Sequence, residues 1–174
     1  MTTLKIFGSL LIILSSSLMG YMYGIRYRDR VNNLVLLENC IKLLETEIIY
    51  AANPLPEALM NVYRKGNQKV SYVFERIADE LVVNKSGTVY ECFESVVNIS
   101  RDELCFKDED IELFLTLGRT IGTSDRFDQE KNFKLILTQI KTLEVEAQLS
   151  KEKNEKLYKS LGILSGLAIV IILL

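Results

Sequence analysis

Apolar residues are concentrated in two uncharged runs, one near each end of the chain. The first run extends from Ile6 to Ile25, and the second occupies residues 160–174. At about 1.5 Å of helix rise per residue, the first run can cross the roughly 30 Å hydrocarbon core of a bilayer, whereas the second reaches only about 21 Å from Leu161 onward. We predict a transmembrane helix at 6–25 and a short C-terminal transmembrane helix at 160–174. Local thinning of the bilayer would accommodate the second run, and a half-inserted tail is the alternative.

Basic residues flank both apolar runs on the side that faces the middle of the chain. Three arginines follow the first run and four lysines precede the second: Arg26, Arg28, Arg30, Lys151, Lys153, Lys156 and Lys159. Positive charge close to a span favours the cytoplasmic side, so we expect residues 26–158 to form a cytoplasmic domain, with both termini outside. A cleaved signal peptide would carry its positive charge before the apolar run, where only Lys5 and the amino group stand. The first run is therefore predicted to be an uncleaved anchor.

Between the two runs, apolar residues recur every three or four positions, which is the period of an amphipathic helix. A stripe from Val31 to Ile48 continues the first run and should end near Tyr50, because the Asn53–Pro56 segment cannot extend a helix. Further stripes predict helices at 56–64, 70–81, 88–97 and 108–121, and one from about 126 into the second apolar run. The fold class predicted is all-α, a membrane-anchored bundle of about five to six helices.

Local signals define several of the predicted helix ends. Thr88 and Glu91 have the spacing of a capping box, and Ser100 with Glu103 repeats it over what we predict to be a short turn. The acidic run 108–110 favours a helix N-terminus over a divalent cation site, because consecutive helical residues point in different directions. Gly122 is predicted to end the fifth helix, and Ser124 or Asp125 to cap the last one.

The composition disfavours an enzyme. The chain of 174 residues has no histidine and a net charge of −2, which argues against histidine-based catalysis and against nucleic acid as a partner. Its three cysteines (Cys40, Cys92 and Cys105) are far apart and indicate buried thiols in a reducing compartment. The acidic pairs Glu45/Glu47 and Glu144/Glu146 lie two residues apart, so we interpret them as solvated charge. We predict no catalytic residue, no metal and no cofactor.

Four short motifs follow one another along the chain: Glu45-x-Glu47-Ile48-x-Tyr50, Pro54-Leu55-x-Glu57-Ala58, Gly118-x-x-Ile121-Gly122-x-x-Asp125-x-x-x-Gln129 and Lys159-Ser160-Leu161-Gly162-x-Leu164-x-Gly166. Together with the apolar ends, they resemble the stage III sporulation protein AB family of spore-forming Firmicutes over the whole chain. The second and third motifs also resemble the cytoplasmic domain of type II secretion inner-membrane platform proteins. Those proteins usually have an acidic residue after the first glycine, where this chain has Arg119.

The resemblance implies a non-enzymatic platform of the channel complex between mother cell and forespore. It implies a location in the mother-cell outer forespore membrane, with other channel subunits and a cytoplasmic secretion-type ATPase as partners. Apart from the resemblance, we keep the lipid bilayer and a homo-oligomer as candidate partners. The motifs supply the candidate interaction residues Pro54, Leu55, Glu57, Gly118, Gly122, Asp125 and Gln129. The alternative function is a small pore-forming or transport subunit, which the lack of ionisable residues in both spans disfavours.

Two glycine pairs predict how the spans pack. Gly20 and Gly24 in the first span, and Gly162 and Gly166 in the second, have the spacing of small residues that let membrane helices approach closely. If both spans meet the cytoplasm at Ile25 and Leu161, Gly20 and Gly166 lie at the same depth, about 8 Å into the bilayer by helix rise. We therefore expect an antiparallel pair of spans with the glycines in contact.

Overall fold

The computed structural model describes residues 2–84, 87–121 and 126–173, with side chains described for 7–84, 87–121 and 128–172. Within these residues the chain contains helices and no strand, so the all-α prediction is confirmed for the part described. The elements are α1 (Thr2–Glu45), a π-helical turn (Thr46–Tyr50), α2 (Leu55–Lys65), α3 (Gln68–Val83), α4 (Val89–Leu104), α5 (Asp108–Ile121) and α6 (Arg126–Leu173). As predicted, the two apolar runs continue into long helices, α1 and α6, without a break.

The chain forms two compact units. Met1–Val31 and Glu146–Leu174 make up the first, which we call the terminal unit, and Asn32–Val145 makes up the second, the central unit. Within the terminal unit, α1 and α6 contact each other next to the apolar runs, as in the stacking of Tyr27 on Tyr158. The cytoplasmic domain at 26–158 stays a prediction.

The core of the central unit is built around three phenylalanines, one from each of α3, α4 and α5. The ring centroid of Phe114 lies 5.4 Å from that of Phe74 and 5.6 Å from that of Phe93. Helices α2 to α5 each bury an apolar face, as their periodicity predicts. The fully buried side chains contributed by α1 and α6 include Leu34, Leu37, Ile41, Leu44 and Ile140.

The predicted capping box of α4 is confirmed, whereas the predicted turn after it is wrong. Thr88 Oγ1 accepts a hydrogen bond from the backbone N–H of Glu91, and Glu91 Oε2 accepts one from the backbone N–H of Thr88. Helix α4 continues through Ser100 and Glu103 to Leu104. Ser100 Oγ donates to the carbonyl of Val96 at 2.9 Å, which is how a serine inside a helix satisfies its hydroxyl.

The end of α4 and the start of α5 depend on backbone geometry. Cys105 has a φ of 57° and ends α4 in the left-handed conformation. Helix α5 begins at Asp108, as predicted, and Asp110 Oδ2 accepts a hydrogen bond from the N–H of Lys107 at 2.8 Å. The predicted stop at Gly122 and the predicted cap at Ser124 or Asp125 lie outside the described residues.

Candidate functional site

The first two motifs meet at a buried carboxylate. Glu47, on the π-helical turn, is only 4% exposed. Its Oε2 accepts hydrogen bonds from Nδ2 of Asn53 at 2.7 Å and of Asn61 at 2.8 Å, and its Oε1 pairs with Nζ of Lys65 at 2.5 Å. The prediction that Glu47 is solvated charge is therefore wrong. The fold places three donors around the carboxylate, and they replace the water that it loses.

The same donors hold Glu47 in its charged form. The hydrogen bond from Lys65, followed by those from Asn61 and Asn53, lowers the pKa of Glu47, so the carboxylate is ionised at neutral pH. A carboxylate engaged with three donors has little capacity to accept a proton from a substrate. Its role is to tie the end of α1 to α2, since Asn61 and Lys65 both belong to α2.

The backbone between α1 and α2 takes an unusual path. The N–H of Asn53 donates to the carbonyl of Glu47 at 3.0 Å, and Ala52 has a φ of 54°. The left-handed conformation is costly for a residue with a side chain, so the surrounding contacts must stabilise it. Turns of π-helix are rare and occur frequently at functional sites. The hydrogen bonds that Asn53, Asn61 and Lys65 donate to Glu47 supply the contacts that stabilise the segment, and they keep it in one conformation.

This turn presents the first group of predicted interaction residues. Pro54 is the N-cap of α2, and its carbonyl accepts a hydrogen bond from the N–H of Ala58 at 2.9 Å. Pro54 and Glu57 are exposed, whereas Leu55 is half-buried. Glu57 lies in the first turn of α2, where its charge favours the helix N-terminus. The structure thus positions an exposed proline and an exposed carboxylate on an ordered helix start.

Gly118 lies where α5 packs on α4. A Cβ added to Gly118 would stand 2.6 Å from Cγ of Phe93, closer than real atoms approach. The neighbouring Arg119 is exposed, and its guanidinium lies 5.0 Å from the ring centroid of Tyr90. A cation stacked on an aromatic ring therefore occupies the position where platform proteins usually carry an acid.

Gln129 connects two helices of the third motif. Its Nε2 donates a hydrogen bond to the backbone carbonyl of Ile121, the last residue of α5, at 3.3 Å. Carbonyls at the end of a helix lack intrahelical donors, so this contact caps α5 from α6. Gly122 and Asp125, the other two predicted residues of this motif, lie outside the described residues.

Two buried polar residues of α1 were not singled out from the sequence. Asn33 Nδ2 donates to the carbonyl of Leu104, near the end of α4, at 2.8 Å. Glu38 pairs with Lys42 at 2.9 Å and with Lys141 of α6 at 2.8 Å. Burial alone would raise the pKa of Glu38, but the hydrogen bonds from Lys141 and Lys42 lower it overall. The sequence did contain a signal for the burial of Asn33. This residue lies four positions before Leu37, which places it on the apolar face of α1.

In the terminal unit, the four predicted glycines lie where α1 and α6 touch. A Cβ added to Gly20 would stand 2.7 Å from Cα of Gly162. One added to Gly24 would stand 2.9 Å from the carbonyl oxygen of Glu155, and one on Gly166 would stand 3.1 Å from Cα of Ile13. We call this contact the glycine seam. A Cβ at Gly20, Gly24 or Gly162 would overlap backbone atoms of the facing helix, and one at Gly166 would make an unusually tight contact.

The register of the glycine seam differs from the predicted one by a helical turn. Gly20 faces Gly162, whereas the depth argument paired Gly20 with Gly166. Ser16 explains the alignment, because its hydroxyl donates to the carbonyl of Gly162 and lies 2.8 Å from Oγ of Ser165. In apolar surroundings, such polar contacts between helices specify register.

Tyrosines surround the end of the glycine seam nearest the basic residues. Tyr158 of α6 stacks on Tyr23 and Tyr27 of α1, with ring centroids 6.2 Å and 5.7 Å apart. Nζ of Lys159 lies 5.1 Å from the ring centroid of Tyr21. Tyrosine is enriched where a membrane protein crosses from lipid to water. This tyrosine collar therefore has the composition of an interfacial belt.

By length and composition, one helix among the described residues qualifies as a membrane span. It is Phe7–Tyr50, and the most apolar stretch of this helix is only 6% buried. The C-terminal part of α6 does not meet the same criterion within the residues described, so the second span at 160–174 stays a prediction.

The arrangement offers little reactive chemistry. Among the described side chains, no group of three or more cysteine, aspartate and glutamate residues could hold a metal ion. Burial raises the pKa of the Cys40 thiol to about 12, so the reactive thiolate is scarce at neutral pH. Glu47 and Glu38 are engaged in ion pairs. What the site provides is shape and ordered contacts.

Comparisons with known proteins agree with one another. The family model described as Stage III sporulation protein AB (spore_III_AB) matches residues 5–174. Stage III sporulation protein AB of Bacillus subtilis (strain 168) is 31% identical over 171 residues, which cover 98% of this chain and 99% of that protein. A solved structure titled Stage III sporulation protein AB (SpoIIIAB) aligns with a TM-score of 0.65 and 27% identity, covering 72% of this chain and 98% of the solved one.

Proposed function

Because the chain belongs to the stage III sporulation protein AB family, we propose that it is a non-enzymatic membrane platform of the channel complex between mother cell and forespore. In this role it links the channel subunits to a cytoplasmic ATPase. The observation that carries the proposal is the continuity of α1 and α6. Both helices run without a break from an apolar, glycine-packed terminal unit into a helical central unit.

The contacts of the terminal unit support anchoring by both ends of the chain. The large side chains of both apolar runs point outward, while glycines and serines form the contact between the helices. Exposing these apolar surfaces to water would cost much free energy, whereas exposing them to lipid would not. Since α6 lies against α1 as far as Gly166 and Ile13, a membrane that holds α1 also receives the end of α6. In the proposed topology the termini lie outside and the central unit is cytoplasmic, at the mother-cell outer forespore membrane.

The start of α2 is the proposed contact surface for the ATPase. Pro54 and Glu57 are exposed there on a turn that Glu47 keeps in one conformation. A surface that is ordered before binding loses less entropy when a partner docks. The central unit would thus offer a fixed docking point rather than a reactive group.

Crosslinking in sporulating cells tests this proposal. A photoreactive amino acid at Glu57 of the full chain should capture the ATPase, whereas one at Asp79, an exposed acid on α3, should not. The charge reversal Glu57→Lys should reduce copurification of the ATPase, with Asp79→Lys as the matched control. If no ATPase is captured from either position, while the purified chain alone conducts ions in liposomes, the platform proposal is overturned in favour of a pore.

A further inference from the structure

A trough that is lined by residues of α1 runs along the exposed surface of this helix in the terminal unit. It encloses about 600 Å³ and extends from Arg26 to Ser15, with Leu18, Met19, Met22 and Tyr23 along its sides. Met19 and Met22 are 64% and 61% exposed, so no part of the terminal unit covers them fully. Ser15 lies at one end of the trough. Arg26 is the charged residue at the other end.

The trough has the length of one membrane leaflet. From Arg26 to Ser15 the helix rises about 16 Å, and half of a roughly 30 Å hydrocarbon core is about 15 Å. The tyrosine collar lies at the Arg26 end, since Tyr23 belongs both to the collar and to the trough. If the collar marks the edge of the bilayer, the guanidinium lies at headgroup level and Ser15 lies near the midplane.

We propose that this trough binds one anionic phospholipid of the cytoplasmic leaflet. The phosphate pairs with the guanidinium of Arg26, and an acyl chain lies along Met22 and Met19 toward Ser15. Arg26 already has a contact within the chain, but a guanidinium has five N–H donors, so it can bind phosphate oxygens in addition. Methionine is flexible and polarisable, so it adapts to a mobile chain. The inference rests on the membrane anchoring proposed above.

The chemistry of the trough favours a lipid over another helix. Close contact between membrane helices uses small residues, and the glycines that α1 presents to α6, Gly20 and Gly24, do not line the trough. The trough is lined instead by long side chains that leave a narrow apolar path with a cation at one end. A second groove of about 570 Å³, between α1 and α6, shares Ser15 and Met19 with the trough. Apolar space therefore continues beyond Ser15 for the rest of the chain.

Native mass spectrometry of the full-length protein tests the proposal. The protein is reconstituted in vesicles of equal phosphatidylglycerol and phosphatidylcholine, and the lipids that stay bound are counted. We expect one retained phosphatidylglycerol per chain, preferred about fivefold over phosphatidylcholine. Arg26→Gln and Ser15→Leu should abolish this preference, the first by removing the cation and the second by filling the trough. Arg28→Gln and Ser15→Ala are the matched controls and should retain it.

Three results would overturn the proposal. Equal retention of both lipids by the wild type would mean that the trough does not select a headgroup. Equal losses in Arg26→Gln and Arg28→Gln would mean that the basic residues attract lipid without a defined site. Efficient disulfide formation between two chains that carry Met22→Cys would place a second copy in the trough. Flotation of the wild type with the vesicles distinguishes a failure of the proposed membrane anchoring from a failure of the proposed lipid site. A chain that fails to float contradicts membrane anchoring itself, whereas a floating chain without lipid selectivity contradicts only the lipid site.

Discussion

Helix α1 contains leucines in two opposite environments, one in each compact unit. Leu37, in the central unit, is completely buried, whereas Leu14, in the terminal unit, is 57% exposed. The central unit buries its large apolar side chains, as water requires. The terminal unit turns them outward and packs its helices through glycine and serine, as lipid permits. Under the proposed membrane anchoring, α1 contacts lipid in the terminal unit and the protein core in the central unit. The change in which residues face inward then marks the boundary between these two environments.

The difference also decides which substitutions each unit tolerates. Removing volume should damage the central unit, because its stability comes from close packing of large side chains. Adding volume should damage the terminal unit, because its helices touch through backbone atoms.

The largest expected effect is the loss of the helix contact in the terminal unit on Gly20→Ile. The added side chain meets the backbone of Gly162 and cannot move aside, since even a Cβ would lie 2.7 Å from its Cα. In a background without native cysteines, Ser16→Cys and Ser165→Cys should form a disulfide readily, and Gly20→Ile should prevent it. Gly8→Ile is the control, because nothing lies within 4 Å of a Cβ at Gly8. A disulfide that forms equally in both variants would refute the glycine seam.

Next, Phe114→Ala should destabilise the central unit by about 4 kcal/mol, because it leaves a cavity between two aromatic rings. The free energy of unfolding of the full chain in detergent, followed by circular dichroism in urea, gives the value. The Ser16–Ser165 crosslink of the terminal unit should stay unchanged, which makes it an internal control. A loss below about 1 kcal/mol would mean that the phenylalanine cluster is not tightly packed.

Gly118→Ala should destabilise the central unit by about 2 kcal/mol, although alanine is the better helix former. The new methyl group meets Cγ and Cβ of Phe93, which belong to the stem of the side chain and have little room to shift. In a Phe93→Ala background, Gly118→Ala should cost less than in the wild type, because the Cγ that the new methyl group meets at 2.6 Å is then absent. If Gly118→Ala alone stabilises the protein, the close packing of α5 on α4 is wrong.

The smallest effect is expected for Glu47→Gln, about 1.5 kcal/mol at neutral pH, because the charge that strengthens three hydrogen bonds is removed. Folding lowers the pKa of Glu47 from its ordinary value of 4.5, so the ionised carboxylate stabilises the native state when the pH is above 4.5. This stabilisation decreases once the pH falls below 4.5, and it is lost when the pH has also fallen through the lower pKa that Glu47 has in the native state. The gap in unfolding free energy between wild type and Glu47→Gln should therefore narrow with acid. Asp79→Asn, on the exposed face of α3, is the matched control and should cost far less at neutral pH. A gap between wild type and Glu47→Gln that is constant with pH would contradict the hydrogen bonds assigned to Glu47.

Much of the helical architecture could be predicted from local sequence. The capping box of Thr88 and Glu91, the start of α5 at Asp108 and the unbroken run of α6 all follow from residues within a few positions of each other. The same local reasoning failed at Ser100 and Glu103, where the spacing of a capping box occurs inside a continuing helix. A capping motif starts a helix only where the chain before it leaves the helical path, and no breaker precedes Ser100.

The sequence by itself determined that the chain is helical, where its helices run and where its two uncharged apolar runs lie, because periodicity and hydropathy are properties of neighbouring residues. Only the tertiary structure decided that Glu47 is buried and which residues the glycines meet. The carboxylate needs donors from Asn53, Asn61 and Lys65, and the seam is aligned by Ser16 and Ser165, which are 149 positions apart. Whether a polar group is buried, and which partner then replaces its water, depends on segments that only folding brings together.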